Sequence, residues 1–405
     1  MKYPLEVQKI ILNEANPVGY EIVSVMESLG RVAYEDVFSN RNLPPKNNSA
    51  MDGYVIRWTD YEKGTRRFKI KGVIIAGDDV TSLKIGENEC YKIMTGGFIP
   101  DGGDAVAEIE ICKELDGYVE IDGKMKHLNH IRNAGEDVSV GSRINIKGLE
   151  ITPFILARLV SAGVTFIKVA RRLRIGVIST GSELIYPTDS AYPEKTIDSN
   201  GLFAKSYFKR LNIDLEYLGI FRDDDDKLEH FIKHMDNKYD IIISSAGISA
   251  GDYDIMSNIA SKVGVDWKIK GVKQKPGKPF SFGFLKGIPF FALPGNPVSS
   301  AFCIFFYLEP FIKKVLGMNN CLPKAINATL KGKMKKRNDR VHFNRVILRY
   351  EYDRFVAYPF ENQDSHVIGS IKESNGFCML PSEMLGEIEE GTILTVYPYE
   401  FRTIF

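Results

Sequence analysis

The arrangement of apolar and polar positions changes character several times along the chain. Residues 4–16 place Leu5, Ile10, Ile11 and Leu12 on one face at helical spacing, and a second helix-like piece follows near 23–29. From 46 to 138, short β-rich runs ("RFKIKGVIIAG", "CYKIMTGG", "DAVAEIEIC", "GYVEID") alternate with glycine-containing turns, which predicts a small all-β insertion. Helical spacing returns at "TPFILARLVSAG" (152–163). From 173, "LRIGVIST", "IDLEYLGI", "YDIIISSAG" and "PFFALPG" read as strands. "SNGLFAKSYFKRL", "DDKLEHFIKHM", a stretch near 253–263 and residues 297–316 read as the helices between and after them. Strands apolar on both faces and separated by helices predict a buried, doubly wound, mostly parallel sheet. After about 323 the text is again β-rich ("RVHFNRVILRYEY", "RFVAYPF", "GTILTVYPY"). The predicted fold class is therefore multidomain α/β. A helical and extended linker region (1–45 and 139–172) carries an inserted β domain (46–138), and an α/β domain (173–322) precedes a C-terminal β domain (323–405).

Composition narrows the function classes. A chain of 405 residues exceeds one ordinary core, in keeping with several domains. Its net charge of +1 gives no global field favouring nucleic acid or an anionic membrane. The longest apolar runs, such as "AFCIFFYL" (301–308), fall far short of the ~20 residues of a membrane span. "MKYPLEVQKI" has no signal-peptide core, and the five cysteines form no C-x-x-C pair, so a reducing cytoplasm is expected. The basic run 331–340 reads as a solvated hairpin edge.

In a doubly wound sheet, ligands bind beyond the carboxyl ends of the strands. Distinctive residues fall there: "STGSEL" with Thr180, Gly181, Ser182 and Glu183; "SSAGISAGDYD" with Gly247, Ser249, Gly251, Asp252 and Asp254; and "LPGNPVSS" with Pro294, Gly295, Asn296, Pro297, Ser299 and Ser300. Asn296 suits a helix N-cap and Pro297 the first helical position, so the free N–H groups behind them can face an anion. The small residues of "SSAGISAG" can cradle a phosphate. Neither spacing is that of a Walker or dinucleotide loop. Glu183, Asp223 and Asp254 follow strands, and scattered oxygen ligands of this kind suit Mg²⁺. Asp225 and Asp226 read as the start of a helix. In "KQKPGKPFSFG", Lys273, Lys275 and Lys278 surround a Pro-Gly turn and can grip an oxyanion. His230 and His234 stand four apart without a third metal ligand, and no G-x-S-x-G elbow is present. In "PPKNNSAMDGYVIR", local rules alone make Asp52-Gly53 a turn.

Eight segments, "SAMDGYV", "MTGGFIPDGGDAV", "GEDV", "STGSEL", "DSNG", "SSAGISAGDYD", "KPGKPFSFG" and "LPGNPVSS", occur in one order along nearly the whole chain. In that order the chain resembles the molybdopterin molybdenumtransferases, the family of bacterial MoeA and the gephyrin E-domain. The resemblance implies insertion of molybdenum from molybdate into adenylylated molybdopterin with release of AMP, assisted by Mg²⁺ on Asp223 or Asp254. It implies a homodimer in which the inserted domain of one subunit faces the α/β domain of the other. It makes Asp52, Thr95, Asp137, Glu183, Asp223, Asp254, Lys275 and Lys278 the reacting-site residues, with Pro294 and Pro297 in the active-site loop. A molybdopterin adenylyltransferase and molybdoenzyme chaperones are then the expected partners. A tungstate-using relative and a non-catalytic scaffold of the gephyrin kind are the alternatives. Ala246 and Ser182 depart from the usual family residues, a glycine and an acid.

Overall fold

The computed structural model describes residues 1–405 apart from 190–192, 212, 223–225, 235–237, 246–263 and 401–405. In the linker region, Tyr20–Ser24 pairs antiparallel with Phe166–Ala170, and Val37–Phe38 with Arg143–Ile144. The helix Pro153–Ser161 starts where the Thr152 hydroxyl accepts the Ile155 N–H. Val25, Ile144, Ile151, Leu159 and Ile167 fill the core beneath it. The helix-like piece expected at 23–29 is instead the end of a strand and one 3₁₀ turn, Val25–Glu27. So short a run cannot offset the cost of helix nucleation, and β-branched Ile22 and Val23 fit the five-residue pairing.

The helix Pro4–Asn13 serves a different core. Its Val7 and Ile11 are buried with the aromatic residues of the α/β domain, and the Gln8 side chain donates to the Phe306 carbonyl at 2.7 Å.

The inserted domain is a six-stranded sheet ordered Ala105–Glu108, Gly53–Ile56, Glu89–Ile93, Arg67–Ile74, Tyr118–Ile121, Cys112–Leu115. Period-two alternation shows directly: Tyr54 and Ile56 enter one apolar cluster and Val55 the other.

The α/β sheet runs Asp214–Phe221, Arg174–Thr180, Ile241–Ser245, Ile288–Leu293, Ser281–Leu285, Val265–Lys270. The first four are mutually parallel, as expected. The last two form an antiparallel edge that the pattern reading did not include. Its cause is local. Lys286 and Gly287 both adopt positive φ (50° and 79°), which makes a two-residue hairpin turn between Ser281–Leu285 and Ile288–Leu293. The helices Ser199–Phe208 and Asp226–His234 form as expected, and Pro297–Cys303 continues through a π turn, Ile304–Leu308, into Glu309–Val315. The helix expected near 253–263 lies outside the described residues.

Downstream, Val341–Glu351, Arg354–Pro359, Ile326–Leu330, Ile393–Pro398 and Gly376–Leu380 pair in that order, and the last pairs again with the first, closing a barrel. One strand of the α/β domain joins it: Gln274–Lys275 lies parallel to Val341–His342. The basic run 331–340 is only partly the solvated edge expected. Lys331 and Lys333 are exposed and paired with Glu390, Glu387 and Glu389, but Lys336 is buried and donates to the Ser382 carbonyl at 3.0 Å. Among the described residues, no helix is long and apolar enough to cross a membrane.

Candidate active site

Asp52 and Thr95 meet at one end of the inserted sheet. The Thr95 N–H and hydroxyl both donate to Asp52 Oδ1, at 2.7 and 2.8 Å. Donation by that N–H, then by the hydroxyl, holds the exposed carboxyl below its ordinary pKa, so it is a carboxylate at neutral pH. Gly53 is not a turn residue here. It opens the strand Gly53–Ile56, and a Cβ on it would lie 1.9 Å from the Ala107 carbonyl oxygen. The glycine therefore lets Ala105–Glu108 pack alongside, and Asp52 is the last residue before that contact. The "SAMDG" and "MTGG" segments are laced together by Gly96 N–H to the Ser49 carbonyl (2.8 Å) and Ser49 N–H to the Gly97 carbonyl (2.9 Å). Asp137 lies apart, where the chain leaves the inserted domain. Its N–H donates to the Leu43 carbonyl and its carboxylate stands 3.7 Å from Arg158.

The carboxyl ends of the parallel strands gather the second group. Thr180 is buried at the end of Arg174–Thr180. Glu183 is exposed, with its carboxylate folded back over Gly181, where a Cβ would lie 2.6 Å from Oε2. Ser182 is exposed and its carbonyl accepts from Lys195 at 2.8 Å. Asp198 lies at the floor, 2% exposed. It accepts from the Ser179 hydroxyl (2.5 Å), the Tyr217 hydroxyl (2.6 Å) and the Gly201 N–H (3.1 Å), and so ties two strands to the helix Ser199–Phe208. From that helix Asn200 donates to the Gly295 carbonyl at 2.7 Å. Pro294 is buried, Gly295 and Asn296 are exposed, Pro297 is half-buried, and Ser299 and Ser300 are buried. Asn296 is the N-cap of Pro297–Cys303 by position, but its side chain does not cap; it donates to the Ser365 hydroxyl at 2.9 Å. Asp223, Gly247, Ser249, Gly251, Asp252 and Asp254 lie outside the described residues, as does Ala246.

The lysine turn joins this group. A Cβ on Gly277 would lie 2.8 Å from Cys303 Sγ and 3.7 Å from the Ser299 carbonyl oxygen, so the turn packs on the helix that follows "LPGN". Buried Gln274 braces it, donating to the Gly277 carbonyl at 3.2 Å and accepting from the Tyr307 hydroxyl. Lys275 is half-buried and Lys278 exposed. Lys275 is paired in register with His342 of the barrel. Burial, then Lys275, Lys336 and Arg340, push the His342 imidazole down to about 4. An unfolded histidine titrates near 6.5, so between pH 6.5 and 4 the unfolded chain binds the extra proton, and stability is lost as pH falls through that window. We expect up to about 3 kcal/mol to be lost this way, and His342→Gln to flatten the pH dependence of urea-unfolding free energy over that interval. A slope unchanged in the variant would remove His342 as its source.

Two residues that the sequence reading missed come from the barrel. Arg345 is 1% exposed, and its guanidinium donates to the carbonyls of Asn362 (2.6 Å) and Asp364 (3.2 Å). Among the described residues its Nε is buried without a partner, and the Asp364 carboxylate acts on it through space without forming an ion pair. The segment it holds carries Ser365, whose hydroxyl accepts from Asn296 and whose carbonyl accepts the Val298 N–H at 3.1 Å. The Ser300 hydroxyl, in the same helix start, is also buried without a partner. One signal was present: a charged residue among apolar ones in "HFNRVIL".

Within one chain the structure therefore brings together Asp52 with Thr95, and Thr180–Glu183 with Pro294–Ser300 and Lys275–Lys278. Among the described residues no hydrogen bond or ion pair links Asp52 or Thr95 to the α/β domain. No group of three or more His, Cys, Asp or Glu among the described residues could hold a metal ion. The two carboxylates expected to hold Mg²⁺ are outside them.

Comparison with known proteins gives three consecutive family matches. Residues 4–163 match "MoeA N-terminal region (domain I and II)", 176–314 match "Probable molybdopterin binding domain", and 327–399 match "MoeA C-terminal region (domain IV)". A molybdopterin molybdenumtransferase of Haemophilus influenzae is 31% identical over 388 residues, 95% of each chain. One of Staphylococcus epidermidis is 29% identical over 399 residues, 98% of this chain and 92% of that one. The crystal structure of a molybdopterin biosynthesis MoeA protein from Pyrococcus horikosii superposes with a TM-score of 0.84 at 27% identity, covering 99% of this chain and all of that one.

Proposed function

The chain belongs to the molybdopterin molybdenumtransferase (MoeA) family, and from that premise we propose that it transfers molybdenum from molybdate to adenylylated molybdopterin, releasing AMP. It is a transferase of molybdenum cofactor biosynthesis. The observation that carries the oxyanion half of this reading is Arg345, a buried guanidinium outside any ion pair among the described residues and with an idle Nε. A buried cation whose charge Asp364 offsets only from a distance, outside any ion pair, favours an anionic ligand. Arg345 lies on the strand Val341–Glu351, which Lys275 joins through its pairing with His342. It also braces the segment that holds the start of the Pro297–Cys303 helix, where the Ser300 hydroxyl is idle.

The division of labour follows from charge. Arg345 offers a directional guanidinium, and Lys275 and Lys278 offer point charges, to the molybdate oxygens. The strand-end loops at Thr180–Ser182 and Gly295–Ser299 take the pterin and its phosphates with hydroxyls, small side chains and the N–H groups left over, those of Gly181 and Val298 being bonded to the Phe221 and Ser365 carbonyls. Asp52, kept ionised by Thr95, and Asp137 supply carboxylates from the other side of the cleft. Mg²⁺ would neutralise phosphoanhydride charge when bound.

We further infer a homodimer. Ile22 and Phe166 share one face of the Tyr20–Ser24/Phe166–Ala170 pair, and both are exposed, as are Met26, Leu29 and Phe154, the last at 87%. So much apolar surface in one small region suits burial against a second copy. Five free thiols fit a cytoplasmic location, with an adenylyltransferase supplying the substrate and molybdoenzyme chaperones receiving the product.

The test is incubation with adenylylated molybdopterin, molybdate and Mg²⁺. Molybdate-dependent AMP release is expected, and its absence would leave a scaffold. Repeating the reaction with tungstate resolves the metal.

A further inference from the structure

Tyr186 follows Glu183 in the loop beyond the strand Arg174–Thr180, and the fold builds a receptor for it. Its hydroxyl accepts the Ile220 N–H at 3.2 Å, near the carboxyl end of Asp214–Phe221. Its ring meets Tyr217 edge to face, with centroids 6.2 Å apart and planes at 87°. Gly219 makes the room: a Cβ there would lie 2.5 Å from the Tyr186 hydroxyl oxygen, and its φ of +104° excludes other residues without strain. The parallel register slips at the same place, Val177 opposing Tyr217 and Ile178 opposing Gly219. Tyr217 is in turn fixed by buried Asp198. The tyrosine is thus held at its hydroxyl and at its ring, yet 41% of its surface stays open at the ligand-binding end of the sheet. Closing the hydroxyl receptor alone would not require leaving the ring uncovered.

We propose that Tyr186 is a fixed stacking platform for a planar heteroaromatic ring of the substrate. This rests on the function proposed above, whose substrate carries two such rings, pterin and adenine. An anchored ring stacks without losing rotamer entropy on binding, and stacking of a base on an aromatic side chain is sequence-tolerant and strong.

Three proteins test it: wild type, Tyr186→Phe and Tyr186→Ala, each checked for thermal stability and each titrated with AMP and with molybdopterin by calorimetry. AMP release is measured alongside. Tyr186→Ala is expected to raise KM for adenylylated molybdopterin about tenfold with kcat changed less than twofold. Tyr186→Phe, which keeps the ring, is expected to restore most of that affinity. Loss confined to the AMP titration assigns the platform to adenine, and loss confined to molybdopterin assigns it to the pterin. Unchanged affinities in Tyr186→Ala, or equal losses in both variants, would overturn the platform while leaving the transferase reading in place. A wild-type protein that binds neither ligand would overturn both.

Discussion

Arg345→Met is expected to fold and to lose molybdate-dependent AMP release by at least 100-fold, the scale on which removing one preorganised donor to an oxyanion acts. The prediction separates two roles of one side chain. As a structural group Arg345 holds the Asn362 and Asp364 carbonyls. Leaving them unpaired costs about 1–3 kcal/mol, partly offset because methionine fills the space without a buried charge. As a ligand for molybdate its contribution is all charge and direction, and methionine supplies neither. Arg345→Lys sharpens the contrast. It keeps a cation but loses the planar fork, so activity should stay low while the apparent KM for molybdate rises more than that for the pterin substrate. Steady-state AMP release across a molybdate titration, with melting curves on the same samples, decides the matter. A methionine variant that turns over normally at the same molybdate concentration would reduce Arg345 to a brace.

Much of the fold was legible because burial pattern and period speak directly. The four parallel strands read as continuous apolar runs since both faces are covered, and Tyr54, Val55 and Ile56 alternate between two clusters as a pleat requires. The antiparallel edge was less legible, because its turn is Lys286-Gly287 and the lysine sits at positive φ, where asparagine or aspartate would have announced it. Lys336 and Arg345 were misread or passed over for one reason: charge in a β run predicts solvent, and only the closed barrel shows that both are buried. The loops at Thr180–Glu183 and Pro294–Ser300 lie at the strand ends that their glycines marked, although the Asn296 side chain does not make the expected cap. What no local rule could give is that Ser365, some seventy residues further on, holds Asn296, because that contact depends on how the barrel docks. The same holds for Asp52. Its carboxylate and the threonine that ionises it were readable as motifs, but its glycine neighbour read as a turn until the close approach of Ala107 was seen.

In the homodimer proposed above, Asp52 serves the α/β domain of the partner, and this has an arithmetic consequence. Asp52→Ala and Lys275→Ala should each give a nearly inactive homodimer. Unfolded together in equal amounts and refolded, the two chains pair at random, giving about half heterodimers in a two-fold assembly. In a heterodimer one site receives both lesions and the other receives Asp52 from the Lys275→Ala chain and Lys275 from the Asp52→Ala chain. That second site is intact. About a quarter of all sites should then release AMP, from two preparations that release almost none. The recovery needs only re-pairing, so it should fail if subunits are mixed without unfolding and do not exchange. Had Asp52 acted on its own chain's lysine turn, every site in every dimer would carry one lesion and the refolded mixture would stay inactive. That outcome would place the cleft within a subunit and leave the apolar face of Ile22, Phe154 and Phe166 without a catalytic reason to be covered.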